Sequence, residues 1–154
     1  GYSTAEAKTA ETRQAIADGA SEIDMVINIA AVKNGDWHYV TEEIRALRQA
    51  AGNHILKVIV ETCYLTEEEK IAACKAVTDA GADYIKTSTG FGTAGASLDD
   101  IRLFRAHIGE NIRIKAAGGI RTREAMEAFL EAGCDRIGSS SAAALMKEAN
   151  EKHN

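Results

Sequence analysis

Gly81-Ala82-Asp83-Tyr84-Ile85-Lys86-Thr87-Ser88-Thr89-Gly90-Phe91-Gly92 reads, left to right, as the end of a helix, a short buried strand and a loop suited to holding an anion. Lys86 stands inside the strand, where an unpaired ammonium is costly and must be kept paired, dry or used. The same order of signals recurs at Gly19-Ala20 ahead of Ile23 and at Gly133-Cys134-Asp135 ahead of Ile137. A helix-ending glycine a few residues before a β-branched run, repeated, is the local grammar of βα units. Such units in series give a parallel sheet with helices packed on it.

Working outward, Ser3-Thr4-Ala5-Glu6 has the form of a capping box that opens a helix running to Asp18. Residues 22–29 predict a strand with Ile23, Met25, Ile27 and Ile29 on one face and Asp24, Val26 and Asn28 on the other. Asn34-Gly35-Asp36 is turn chemistry, and residues 39–51 have helical periodicity with Gly52 as the stop. Residues 56–62 predict a second strand, and Thr66-Glu67-Glu68-Glu69 a second capping box opening a helix that ends near Gly81. Ser97, with Asp99 and Asp100, starts the helix after the opening stretch. Residues 112–119 form a fourth strand and its loop, followed by a helix from Thr122 to Leu130; residues 136–141 form a fifth strand leading to a last helix. The expectation is a single α/β domain over residues 1–154, built as a barrel or a doubly wound sheet. No Gly-x-Gly-x-x-Gly opens the first unit and no Walker motif is present, which lowers the nucleotide-binding, doubly wound reading.

Composition excludes several function classes. With 18 basic and 23 acidic residues the net charge is −5, spread along helices, which argues against nucleic acid as a partner. No apolar run is long enough to span a bilayer and no signal pattern opens the chain, so no membrane role and a cytoplasmic location are expected. Cys63, Cys74 and Cys134 lack metal-ligand spacing and read as small core residues, with neither a disulfide nor a metal expected. His38, His54, His107 and His153 fall in loops or at helix ends without a matching nucleophile, which disfavours a histidine triad. Trp37 reads as packing ahead of a lid.

The polar positions inside the strands carry the chemistry. Asp24, Lys57, Lys86 and Lys115 occupy comparable places in successive strands, separated by 33, 29 and 29 residues. If the units are equivalent, these side chains share one interior, which in a βα barrel is the active-site end. Asp24 taken alone is equally a loop cap, and Lys57 equally a structural partner of Asp24 or Glu61. Lys86 and Lys115 are harder to assign to packing, since two ammonium groups on adjacent strands disfavour each other's charge and so make a nucleophilic amine. Gly90, Gly118, Gly119, Ser140 and Ser141 lie at C-terminal strand ends, where glycine loops and a helix N-terminus can hold phosphate. Each stretch alone reads as turn and cap chemistry; their convergence at one end favours the phosphate site.

Five ordered motifs resemble the deoxyribose-phosphate aldolase family: residues 22–28, 56–62, 84–91, 114–121 and 136–141. The resemblance implies a class I aldolase that cleaves or forms 2-deoxy-D-ribose 5-phosphate from acetaldehyde and D-glyceraldehyde 3-phosphate through a lysine Schiff base. It implies that Lys86 forms the imine, that Lys115 is the cation tuning it, and that Asp24 works with Lys115 and a water in proton transfer. Lys57 becomes a charge partner behind them, and Thr89, Gly90, Gly118, Gly119, Ser140 and Ser141 surround the phosphate. The implied partners are a phosphorylated deoxy sugar and small aldehydes, and the implied cofactor is none. The family fold is a TIM (β/α)8 barrel, of which this chain is expected to supply about five strands, beginning after the third. A partial barrel leaves two open edges, so a homo-oligomer is expected in which another chain completes the sheet. The alternative is a self-associating half-barrel that retains the site residues with little or no activity; another Schiff-base or phosphate-binding barrel enzyme is a third reading. Ala117 stands where the family usually has serine, and the family's C-terminal tyrosine has no counterpart after His153-Asn154.

Overall fold

The structure, a computed structural model, describes residues 1–151, so the expectations for His153 and Asn154 lie outside the described residues. Its elements are α1 (Ala5–Ala17), β1 (Glu22–Val26), α2 (Ile29–Lys33), α3 (Trp37–Ala51), β2 (Ile55–Ile59), α4 (Glu67–Ala80), β3 (Tyr84–Lys86), α5 (Leu98–His107), β4 (Arg113–Ala117), α6 (Arg123–Glu131), β5 (Arg136–Gly138) and α7 (Ala142–Glu151). A single 3-10 turn, Thr62–Tyr64, follows β2. The strands form one all-parallel sheet in the order β1-β2-β3-β4-β5, as βα units joined by helical crossovers require.

Each strand has two different faces. Ile23, Met25, Leu56, Val58, Ile85, Ile114 and Ala116 are buried and join Ile44, Leu47, Val77, Ile101 and Phe104 of the helices in one core. Burying each of the larger of these side chains contributes about 1.5–3 kcal/mol. The alternate positions carry Glu22, Asp24, Lys57, Lys86, Arg113, Lys115 and Arg136. A parallel sheet covered by helices on both faces would be apolar at both sets of positions. This one has helices on a single face and charge on the other.

Local signals account for most boundaries. Thr66 and Glu69 form the reciprocal capping box, while Ser97 and Thr122 cap α5 and α6 through their hydroxyls. At the first helix the N-cap is Thr4, whose hydroxyl accepts the Ala7 N–H at 3.3 Å; the box expected from Ser3 and Glu6 is therefore out of step by one residue. β1 is shorter than residues 22–29. Asn28 leaves the strand to cap α2, its Oδ1 accepting the Ala31 N–H at 3.1 Å, which competes with the ladder after Ile27. Trp37 is the first residue of α3 and packs against the core. Cys74 and Cys134 are buried and Cys63 is half-buried, all three as free thiols; burial pushes Cys74 up to about 12.

Candidate active site

The register brings the four ionisable positions together in two steps. Asp24 is the Cα partner of Lys57, and Lys86 is the partner of Lys115. Between them β2 and β3 are offset, so Lys57 pairs with Tyr84 and Lys86 with Ile59, two residues further on. The offset preserves the facing of every side chain because strand alternation has period two.

Asp24 joins the two levels. One carboxylate oxygen accepts from Lys57 Nζ at 2.9 Å and the other from Lys86 Nζ at 2.6 Å. Burial works to raise the Asp24 pKa, but the hydrogen bonds from Lys86 and then Lys57 together prevail and lower it, so it stays ionised. Lys57 is 4% exposed and pairs with Glu22 at 2.7 Å as well as with Asp24. Burial acts to lower the Lys57 pKa, and the two carboxylates reverse that and raise it. Of the two partners considered for Lys57 in sequence, Asp24 is found and Glu61 is not; Glu22, two residues before Asp24 on the same face of β1, takes that place. Glu22 is in turn bound by Arg136 at 2.6 Å, and the hydrogen bonds from Lys57 and then Arg136 hold its carboxyl at about 2.

That last pair shows the sheet is curled. Glu22 and Arg136 begin the two edge strands, which in a flat sheet would stand about 19 Å apart, four strand spacings and beyond the joint reach of the side chains. They meet only if the charged face is concave. On this face the guanidinium groups of Arg113 and Arg136 lie 4.3 Å and 5.0 Å from the Tyr84 ring centre.

Lys115 differs from Lys86. No carboxylate pairs with it among the described residues, and burial, followed by the charge of Lys86, lowers its pKa. Gly138 on β5 makes room for this side chain.

The loops predicted to hold phosphate follow β3, β4 and β5, three neighbours in the sheet, on its C-terminal side. Thr87 is fully buried and its hydroxyl donates to Ala117 O at 3.2 Å while accepting the Ala117 N–H at 3.1 Å, which fastens the exits of β3 and β4 together. Gly118 and Gly119 have φ of 88° and 76°, a backbone that favours glycine. Gly95 lies so close to the end of β4 that a Cβ there would stand 2.2 Å from Gly118 O, and Ala96 N–H bonds Ala117 O and Gly118 O. Ser140 is exposed just ahead of α7, and Ser141 N–H donates to Ser139 Oγ at 3.1 Å. Sequence reasoning missed Gly95, Gly138 and Glu22; only Glu22 carried a signal, its spacing from Asp24.

A curled wall of parallel βα units, charged on its open face and rimmed by glycine loops at its C-terminal end, has the architecture of part of a βα barrel. Comparison with known proteins makes the class specific. A model of the DeoC/LacD family of aldolases matches residues 2–146, and the chain belongs to that family. It is 68% identical over 147 residues to the deoxyribose-phosphate aldolase of Clostridium botulinum (strain Eklund 17B / Type B), covering 96% of this chain and 66% of that protein. With that of Brevibacillus brevis the identity is 55% over 149 residues, covering 97% and 67%. Among solved structures, an aldolase designated QR15 superposes with a TM-score of 0.94 at 40% identity, covering 99% of this chain and 69% of that one. The deoxyribose phosphate aldolase of Aeropyrum pernix, described as a unique tetrameric structure, gives 0.85 at 25% identity, covering 99% and 64%. The chain thus spans about two thirds of the length of its relatives, 66% in the first case, in keeping with five strands of a larger barrel.

Proposed function

We propose that the chain carries the catalytic wall of a class I aldolase acting on 2-deoxy-D-ribose 5-phosphate, with Lys86 as the nucleophile. The observation that carries this reading is the constellation of Lys86 with Asp24 on one side and Lys115 on the next strand. Lys86 Nζ adds to the substrate carbonyl and water leaves, giving a protonated imine. The bond between the second and third carbons then breaks: its electrons enter the imine as an enamine, the hydroxyl proton on the third carbon passes to a base, and D-glyceraldehyde 3-phosphate departs. Protonation of the enamine and hydrolysis return the amine and acetaldehyde. The imine is the electron sink, so this route calls on no metal.

Before attack, Lys86 must give up the proton it shares with Asp24. Lys115, whose lowered pKa leaves more of it as the free amine, is the neighbouring group that can receive it, and Asp24 stays ionised to hold the resulting charge. Thr89, Gly90, Gly118, Gly119, Ser140 and Ser141 surround the phosphate at the rim, and Lys57 fixes Asp24 from below.

The oligomer belongs to the same proposal. β1 and β5 are edge strands, and a groove of about 420 Å³ opens between β1 and α1, lined by Thr12, Ala15, Ile23 and Met25 among others. The named tetramer among the relatives supports association of copies, and free cysteines fit a reducing cytoplasm. The test is acetaldehyde release from 2-deoxyribose 5-phosphate, measured with the mass of the assembly in solution. Wild type should turn over, and Lys86→Met should lose activity by about 10³-fold or more while keeping the assembly. An assembled wild-type protein without turnover identifies the self-associating half-barrel instead.

A further inference from the structure

Glu61 is the only non-glycine with positive φ among the described residues, at φ 55° and ψ 67°. A Cβ in this left-handed region crowds the following carbonyl, so a residue is held there only where its surroundings fix it. Glu61 sits at the C-terminal end of β2 and is 5% exposed. Its Oε1 accepts the Thr89 N–H at 3.1 Å, and its other carboxylate oxygen accepts the Thr89 hydroxyl. Thr89 Oγ1 accepts the Phe91 N–H at 3.0 Å. A Cβ on Gly92 would stand 2.7 Å from Cys63 Sγ and 3.2 Å from Glu61 Oε1, so a side chain here would have to displace the Cys63 thiol and press on the Glu61 carboxylate. Residues 89–92 follow β3, yet they are seated on Glu61 and Cys63, in the segment that leaves β2.

That seat is electrostatically odd. A buried carboxylate under a loop that meets an anion opposes the anion, and a neutral side chain would pack the same space. What the carboxylate alone supplies is two acceptor oxygens in one rigid group, which take both donors of Thr89 and fix its backbone and its hydroxyl together. We propose that Glu61 is a positioning residue for the phosphate end of the substrate, acting through Thr89 and the 89–92 loop and setting the preference for phosphorylated over unphosphorylated sugar. The proposal rests on the aldolase reading above.

Two variants of the full chain test it. Glu61→Met keeps the volume but has no acceptor for either Thr89 donor; Glu61→Gly suits the left-handed backbone and removes the tie, so folding is retained in at least one. Without substrate, hydrogen exchange at the Thr89 and Phe91 amides should speed up about 10-fold or more in both, with α4 and β4 amides unchanged. Inorganic phosphate should bind more weakly. The ratio of kcat/KM for 2-deoxyribose 5-phosphate over 2-deoxyribose should fall about 10-fold through KM, while borohydride trapping of acetaldehyde on Lys86 persists. Exchange at wild-type rates overturns the proposal, as does phosphate binding that is unchanged or tighter, the latter meaning that the Glu61 charge only repels the anion. Failure of the wild-type chain to trap acetaldehyde counts against the aldolase reading instead, and the exchange and phosphate measurements still decide the role of Glu61.

Discussion

Gly138 leaves the space that Lys115 occupies: a Cβ at Gly138 would stand 3.3 Å from Lys115 Cε and 3.2 Å from the Ala117 Cβ. The glycine faces the concave side from β5, next to the strand that carries Lys115. A branched side chain there must push the lysine stem aside. Gly138→Val is expected to cost about 1–3 kcal/mol of stability by overpacking and to lower kcat by about 10²-fold, since an ångström of misplacement at a reacting group is expensive. Gly138→Ala should fall between the two. Thermal unfolding and steady-state kinetics on the same preparations check both effects.

Lys115 itself should be a stability liability. Its folded-state pKa lies below the ordinary 10.5, so between the two values the folded state binds fewer protons than the unfolded state and stability rises with pH. Below that window the cost of the ammonium is fully present. Lys115→Met is therefore expected to unfold at a higher temperature than wild type at pH 7, with the advantage shrinking as pH approaches 10.5, and to lose activity. Denaturant unfolding across that range measures it.

The acid limb tests the lower part of the site. Glu22 titrates at about 2 in place of 4.5, so it contributes stability above 4.5 that is lost as pH falls toward 2. Glu22→Gln should flatten the acid limb in that window and cost about 1–2 kcal/mol at neutral pH, because buried Lys57 loses one partner; Glu22 is one third exposed, which keeps the cost below that of a dry pair. Unfolding free energy as a function of pH gives both numbers.

A second buried pair lies outside the site. Lys8 on α1 donates to Glu43 on α3 at 2.7 Å and to Val26 O at 2.8 Å, and the other Glu43 oxygen accepts the Asn28 N–H at 3.1 Å. This pair ties α1 to the end of β1. Glu43→Ala leaves a buried ammonium without its carboxylate and should cost about 3–5 kcal/mol, whereas Lys8→Met with Glu43→Leu should recover most of it. Urea midpoints of the three proteins decide.

The parts of this molecule written in the sequence are those set by neighbours in the chain. The caps at Thr66, Ser97 and Thr122 and the alternation of Ile23 and Met25 against Asp24 depend on spacings of two or three residues. Lys57 with Asp24 and Lys86 with Lys115 were also legible, because repeated units place equivalent positions side by side. The rest depends on contacts that no local pattern records. Arg136 reaches Glu22 across 114 residues only because the sheet curls, and Gly95 is needed because one loop crosses the end of another strand. Asn28 ended β1 early, a choice between ladder and cap that the two signals leave balanced in sequence. Glu61 reads in sequence as a strand residue and a candidate partner of Lys57; its left-handed backbone and its hold on Thr89 show only in three dimensions.

The central claim is that Lys86 is the amine that meets the carbonyl. Incubation with acetaldehyde and borohydride, followed by peptide mass spectrometry, should place one reduced two-carbon adduct on Lys86, with none on Lys57 or Lys115 and none in Lys86→Met. An adduct on Lys115 in the wild-type protein, or no adduct under conditions that label an intact aldolase, would contradict it.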